Sequence, residues 1–126
     1  MDWQRWNLDE VVMNPMPNVD GGAAAVIAPP GTDQPFMLLV TFPPNHVVNS
    51  HWHGSDCFYL VSKGSMTVGE EGEYKPGDIR WVKGGTYYGP EVMGADGCTF
   101  MLIGVGDSAA HFEETTARVI GSVVRP

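Results

Sequence analysis

Apolar residues in this chain come in short runs, and most runs are closed by glycine, proline, asparagine or aspartate. Short runs rich in β-branched and aromatic side chains, bounded by such residues, read as strands. The pattern predicts strands over Ala23–Ala28, Phe36–Phe42, Val47–His53, Cys57–Ser62, Ser65–Val68, Ile79–Val82, Thr86–Tyr88 and Cys98–Val105. Pro29-Pro30-Gly31, Pro43-Pro44-Asn45, Pro76-Gly77-Asp78 and Lys83-Gly84-Gly85 are expected to be turns, with a hairpin-like Lys63-Gly64 and an acidic turn from Gly69 to Gly72. Gly54-Ser55-Asp56 suits a turn or bulge, and residues 93–97 a loop. Towards the end, Glu113–Arg118 suits one helical turn or an edge strand, and Val119–Val124 a closing strand.

Strands this short, with turns between them and no strand–helix alternation, predict an all-β sandwich or barrel. Closing the sheet on itself would also remove the free edges that invite aggregation. Residues 1–20 carry Trp3, Trp6, Val11, Val12 and Met13, with Pro15 and Pro17 against any helix, and are expected to form an arm that packs on the barrel. Residues 21–126 are then the single barrel domain.

Composition narrows the partners. At 126 residues the chain suits one domain that buries about two-thirds of its unfolded surface. Seven Lys and Arg against fifteen Asp and Glu leave a net charge of −8, and the basic residues are scattered. Nucleic-acid affinity comes mainly from basic side chains neutralising phosphates, so DNA or RNA binding is not expected. No apolar run is long enough for a membrane span, and Met1-Asp2-Trp3-Gln4-Arg5 lacks a secretion-signal pattern, so the expected setting is the cytoplasm. Cys57 and Cys98 would stay reduced there, and Cys98, in an apolar run, reads as a small buried hydrophobe.

The chemistry concentrates in His51-Trp52-His53-Gly54-Ser55-Asp56-Cys57. In a strand, successive side chains point to opposite faces, so His51 and His53 share a face and Trp52 takes the other. Two imidazoles side by side are half of a site for zinc, iron, copper or nickel. By the same alternation Tyr59 shares the face of Cys57. Trp52, Phe58 and Trp81 read as packing residues, Glu70-Glu71 as a solvated turn, and His46, Glu91 and His111 as surface or rim positions. No nucleophile elbow, phosphate-binding loop, dinucleotide fingerprint or Cys-x-x-Cys is present.

From about Pro35 to Gly104 the chain resembles the cupin superfamily. His51, His53 and Gly64 fit the first cupin motif, with Cys57 at its glutamate position. Gly77-Asp78 and Gly85 fit the second, with Lys83 in place of a proline and Tyr88 at the histidine position. The resemblance implies a double-stranded β-helix, a jelly-roll-like barrel, and a homodimer in which Trp3 and Trp6 would be buried. It also implies a metal site at His51 and His53. Cys57 would be a thiolate ligand, a filler that leaves a position open, or a redox-active neighbour; cysteine dioxygenases, also cupins, likewise carry Cys there. Tyr88 would face inward as phenolate ligand, acid–base group or hydrogen-bond donor, with Tyr59 as a second proton carrier.

Two functions follow as expectations. One is a metal-dependent enzyme acting on a small molecule inside the barrel, with zinc, iron, nickel or manganese and lyase, isomerase, hydratase or oxygenase chemistry. The other is a metal-free small-ligand binder or sensor, prompted by the substitutions at Cys57 and Tyr88.

Overall fold

The computed structural model describes residues 3–28, 35–106 and 108–113. Within them lie eight strands and no helix: β1 Asn14–Pro15, β2 Ala23–Ile27, β3 Phe36–Phe42, β4 Val47–Val48, β5 Cys57–Val68, β6 Gly72–Tyr74, β7 Ile79–Val82 and β8 Glu91–Gly104. Among the described residues no helix is long and apolar enough to cross a membrane. The turn at Pro29-Pro30-Gly31 and the elements expected over 114–124 lie outside them.

All pairings are antiparallel and follow the order β1-β2-β3-β8-β5-β6, with β4 on β8 and β7 on β5. The long strands β5 and β8 form the spine. The second half of β8 lies between β3 and the first half of β5, as in the register Val40↔Phe100↔Val61. Its first half lies between β4 and the second half of β5, as in Val48↔Glu91↔Val68. The expected arm contributes one pairing to the barrel, Asn14↔Ala24 and Pro15↔Ala23, while Trp3 and Trp6 remain exposed.

Period-two alternation places Phe36, Val40, Cys57, Tyr59, Val61, Phe100 and Leu102 in one buried core. Past Val61 the inward set changes parity to Met66 and Val68. Register shifts between Val61 and Lys63, and between Gly64 and Met66, account for the change. The expected hairpin at Lys63-Gly64 is therefore a bulge within one strand, because both flanks bond to β8. The expected loop at 93–97 is likewise the opposite half of that irregularity rather than a break in β8.

Two more expectations are corrected here. Val47–His53 is not one strand: β4 ends at Val48, and only His51 and Trp52 pair again, with Tyr88 and His111. Phe58 and Trp81 pair across the outer face and stay 51% and 54% exposed, so they do not pack in the core.

Candidate functional site

The site begins with the backbone around His51. His51 and Tyr88 exchange both hydrogen bonds at 2.9 Å, and Trp52 and His111 exchange both at 2.8 Å. This short strip thus lies between two partners, which fixes its alternation. The His53 carbonyl accepts from Gly85 N at 2.8 Å, and Asp56 Oδ1 accepts from Gly84 N at 2.7 Å, so the Lys83-Gly84-Gly85 turn is pinned beside it. The two imidazoles lie edge to face with ring centroids 5.2 Å apart, as period-two spacing leads one to expect. Trp52 is buried on the other side, stacked on His111 at 4.3 Å.

His51 Nδ1 lies 2.8 Å from the Asn49 carbonyl. A carbonyl only accepts, so Nδ1 carries the proton and Nε2 carries the lone pair. Burial lowers the His51 pKa, partly offset by that hydrogen bond, and the ring is a neutral acceptor at neutral pH. Facing Nε2, at 4.0 Å, is Oε1 of Glu91. Glu91 is only 2% exposed, and its Oε2 has no hydrogen-bond partner among the described residues. Burial pushes its pKa up to about 7, against the pull of Arg80.

Behind this face stand two phenols. The Tyr59 and Tyr88 hydroxyls are hydrogen-bonded to each other, and Tyr88 lies 4.7 Å from the His51 ring. Burial raises both phenol pKa values, so both stay protonated at neutral pH. Arg80 places its guanidinium 4.4 Å from the Tyr88 ring centroid and 5.0 Å from that of Tyr59. Burial opposes its charge, but two 2.6 Å bonds to Glu71 keep it ionised.

These polar groups meet one end of a cavity of about 180 Å³. His51, His53, Tyr59 and Glu91 form its polar end, and the other walls are apolar, among them Leu38, Val40, Phe42, Phe100, Leu102 and Phe112. Tyr88 reaches the site through its bond to Tyr59 rather than as a wall residue. Cys57 shares the inward face of β5 but is not a wall residue, and its thiol donates to the Ser55 carbonyl at 3.3 Å. Among the described residues, no three His, Cys, Asp or Glu side chains form a ready-made metal-ligating group.

Three participants escaped the sequence reading. Glu91, expected at the rim, is a wall residue because it opens β8 with Met93 on the same inward face. Glu71, expected in a solvated turn, instead holds the buried Arg80. Alternation could have flagged Arg80, since Ile79 and Trp81 flank it on the opposite face, but their hydrophobicity argued for the reverse orientation.

Cys98 is buried as expected, and burial together with the charge of Glu91 raises its thiol pKa to about 11. The thiolate is the reactive form, so folded protein should leave Cys98 unalkylated by iodoacetamide at about pH 8. Peptide mass spectrometry checks this; modification as fast as in urea would contradict the burial.

No protein-family model matches the sequence, and no curated protein does. Solved structures match by fold. The polyketide cyclase RemF from Streptomyces resistomycificus superposes with a TM-score of 0.71 at 19% identity, over 87% of this chain and 84% of that one. KdgF from Halomonas sp. gives 0.65 at 20% identity, over 82% and 94%. An RmlC-like cupin from Shewanella frigidimarina gives 0.63 at 12% identity, over 80% and 88%. The chain has the cupin fold, as its motifs led us to expect, and likeness at this level speaks for the fold alone.

Proposed function

We propose that this protein is a metal-dependent enzyme acting on a small molecule inside the cupin barrel. The observation that carries the reading is the pair of acceptors at the cavity end. His51 Nε2 and Glu91 Oε1 face each other at 4.0 Å, and neither can donate to the other while Glu91 is ionised. Two buried electron-pair donors opposed in this way are bridged by a cation, by a shared hydrogen-bond donor, or by a proton on Glu91, whose pKa burial raises to about 7; of these we take the cation. Imidazole with carboxylate suits zinc, iron, nickel or manganese.

His51 and His53 would hold the ion, with Glu91 opposite as compensating charge. The bond from His51 Nδ1 to Asn49 is the outer contact that orients a ligating imidazole. When bound, such an ion polarises a carbonyl or carboxylate as a Lewis acid. The chain's own proton chemistry rests on Tyr59, a neutral phenol on the cavity wall, which can donate to a substrate oxygen while Tyr88 hydrogen-bonds behind it. Apolar walls limit water at the reacting end. The set suits a lyase, isomerase or hydratase, and RemF, a polyketide cyclase with a similar fold, is compatible with acid–base work in such a barrel.

A second reading is a metal-free ligand binder or sensor. It draws support from Cys57, whose thiol is turned to Ser55, and from Tyr88, which is bonded to Tyr59. The exposed Trp3 and Trp6 support a homodimer, and the burial of Cys57 and Cys98 suits a reducing, cytoplasmic setting.

Elemental analysis of untagged protein purified without chelator tests the main reading. We expect close to one equivalent of zinc, iron, nickel or manganese in the wild type. The double variant His51→Ala/His53→Ala should retain less than about a tenth of it, with its β circular dichroism unchanged. Bound metal should also raise the thermal midpoint, reversibly with chelator. Wild-type protein that is empty and refuses added metal would leave the binder reading.

A further inference from the structure

We infer that Phe112 is the door of the cavity: with Ala110 beside it, this ring sets how large a molecule reaches His51 and His53. The inference rests on the cavity being the functional site, as proposed above, but not on whether it holds an ion.

Burial locates the mouth. Among the described residues that line the cavity, Ala110 and Phe112 are exposed, and every other one is buried or half-buried. Solvent therefore meets the cavity across residues 110–112. Phe112 is 50% exposed, yet its ring centroid lies 5.4 Å from that of His51. The ring thus stands between water and the polar end.

The backbone on either side of Phe112 is pinned, and that turns the ring inward. His111 exchanges two 2.8 Å backbone bonds with Trp52 and stacks on its indole at 4.3 Å. Trp52 Nε1 donates to the Glu113 carbonyl at 3.3 Å. Neighbours alternate in extended backbone, so with His111 held on the Trp52 side, Ala110 and Phe112 share the face that looks into the cavity. The frame is fixed, but the ring is covered on one side only. Exposed side chains change rotamer quickly, so rotation about Cα–Cβ swings this ring off the mouth without moving the segment.

Size makes the ring matter. The cavity holds about 180 Å³, near the roughly 150 Å³ of an apolar cavity that accepts benzene. A phenyl ring at the mouth is therefore comparable with the molecule that must pass it. Ala110 leaves the remaining gap, and a larger side chain there would close it. Phe112→Ala and Ala110→Phe thus act in opposite directions, which general loosening of the segment would not do.

Diethyl pyrocarbonate, a small uncharged reagent that acylates imidazole, serves as the probe, and peptide mass spectrometry reads each histidine separately. Full-length wild type and the two variants are labelled at one pH, as purified and after chelator treatment, with circular dichroism confirming the fold. After chelator, Phe112→Ala should label His51 and His53 at least about tenfold faster than wild type, and Ala110→Phe at least about threefold slower. His46, half-buried and not a wall residue, is the internal standard and should stay within about twofold.

Equal labelling of His51 and His53 in all three chains would overturn the inference, as would a rise at His46 matching theirs in Phe112→Ala. Should Phe112→Ala fail to fold, Ala110→Phe still decides, because unchanged labelling there means that the mouth lies elsewhere. Metal content of the samples as purified separates this inference from the metal reading. Metal-free protein whose labelling follows the two variants removes the ion and leaves the door. Metal-bearing protein whose three chains label alike after chelator does the reverse.

Discussion

Gly64→Ala should leave little or no folded protein. Gly64 has φ +69°, and a Cβ placed there would lie 2.0 Å from the Gly97 carbonyl oxygen and 2.8 Å from its carbon. Both obstacles are backbone, so no rotamer change relieves them. The clash falls where β5 and β8 change register, next to the bulge that turns Met66 and Val68 inward after Val61. Separating the strands there would open the spine that carries Tyr59 on one strand and Glu91 on the other. We expect a loss above about 4 kcal/mol, a large part of the 5–15 kcal/mol that a domain of this size possesses. Gly77→Ala is the control, since Gly77 also has positive φ (+91°) but its added Cβ would meet nothing within 4 Å. That change should cost only about 1 kcal/mol from backbone conformation. Soluble yield and urea unfolding compare the two; equal losses would show that the close approach of β5 and β8 does not matter.

Glu71→Gln should destabilise the protein by about 3 kcal/mol at neutral pH, because it strands a buried guanidinium. The Arg80 side chain is 5% exposed and that of Glu71 is 38% exposed, so the carboxylate stands at the rim and the cation inside. Partial screening of Glu71 by solvent places the expectation at the low end of the range for broken buried pairs. Its pH dependence has a definite sign. The hydrogen bonds from Arg80 lower the Glu71 pKa in the folded state, outweighing its partial burial. The stabilisation is therefore full above the unfolded value of about 4.3 and is lost as pH falls through the lower folded value. The gap between wild type and variant in urea midpoint should narrow over that acidic range. Because Arg80 lies against the Tyr59 and Tyr88 rings, the near-ultraviolet circular dichroism should change as well. Equal midpoints at neutral pH would show that solvent has replaced the pair without cost.

The candidate site was legible in proportion to how local its geometry is. His51 and His53 are two residues apart, and strand-like backbone alone puts them side by side; the 5.2 Å between their rings follows from that spacing. Tyr59 and Tyr88 are 29 residues apart, and their shared hydrogen bond depends on the His51–Tyr88 bridge and on the inward face of β5. The resemblance to cupin motifs placed Tyr88 inside; alternation alone did not. Cys57 shows the limit of alternation, because facing inward did not make it a wall residue.

The sequence by itself determined the all-β class, the positions of β3 and β7, the turns at Pro76-Gly77-Asp78 and Lys83-Gly84-Gly85, and the shared face of the two histidines. Each depends on neighbours a few residues away, where backbone sterics and period-two alternation suffice. Only the tertiary structure decided that Phe58 and Trp81 lie outside while Arg80 lies inside, that Glu91 faces His51, and that Glu71 is an anchor. Those outcomes depend on which face of a curled sheet closes on itself and on where β5 and β8 shift register, and both are set by contacts between residues far apart in the chain.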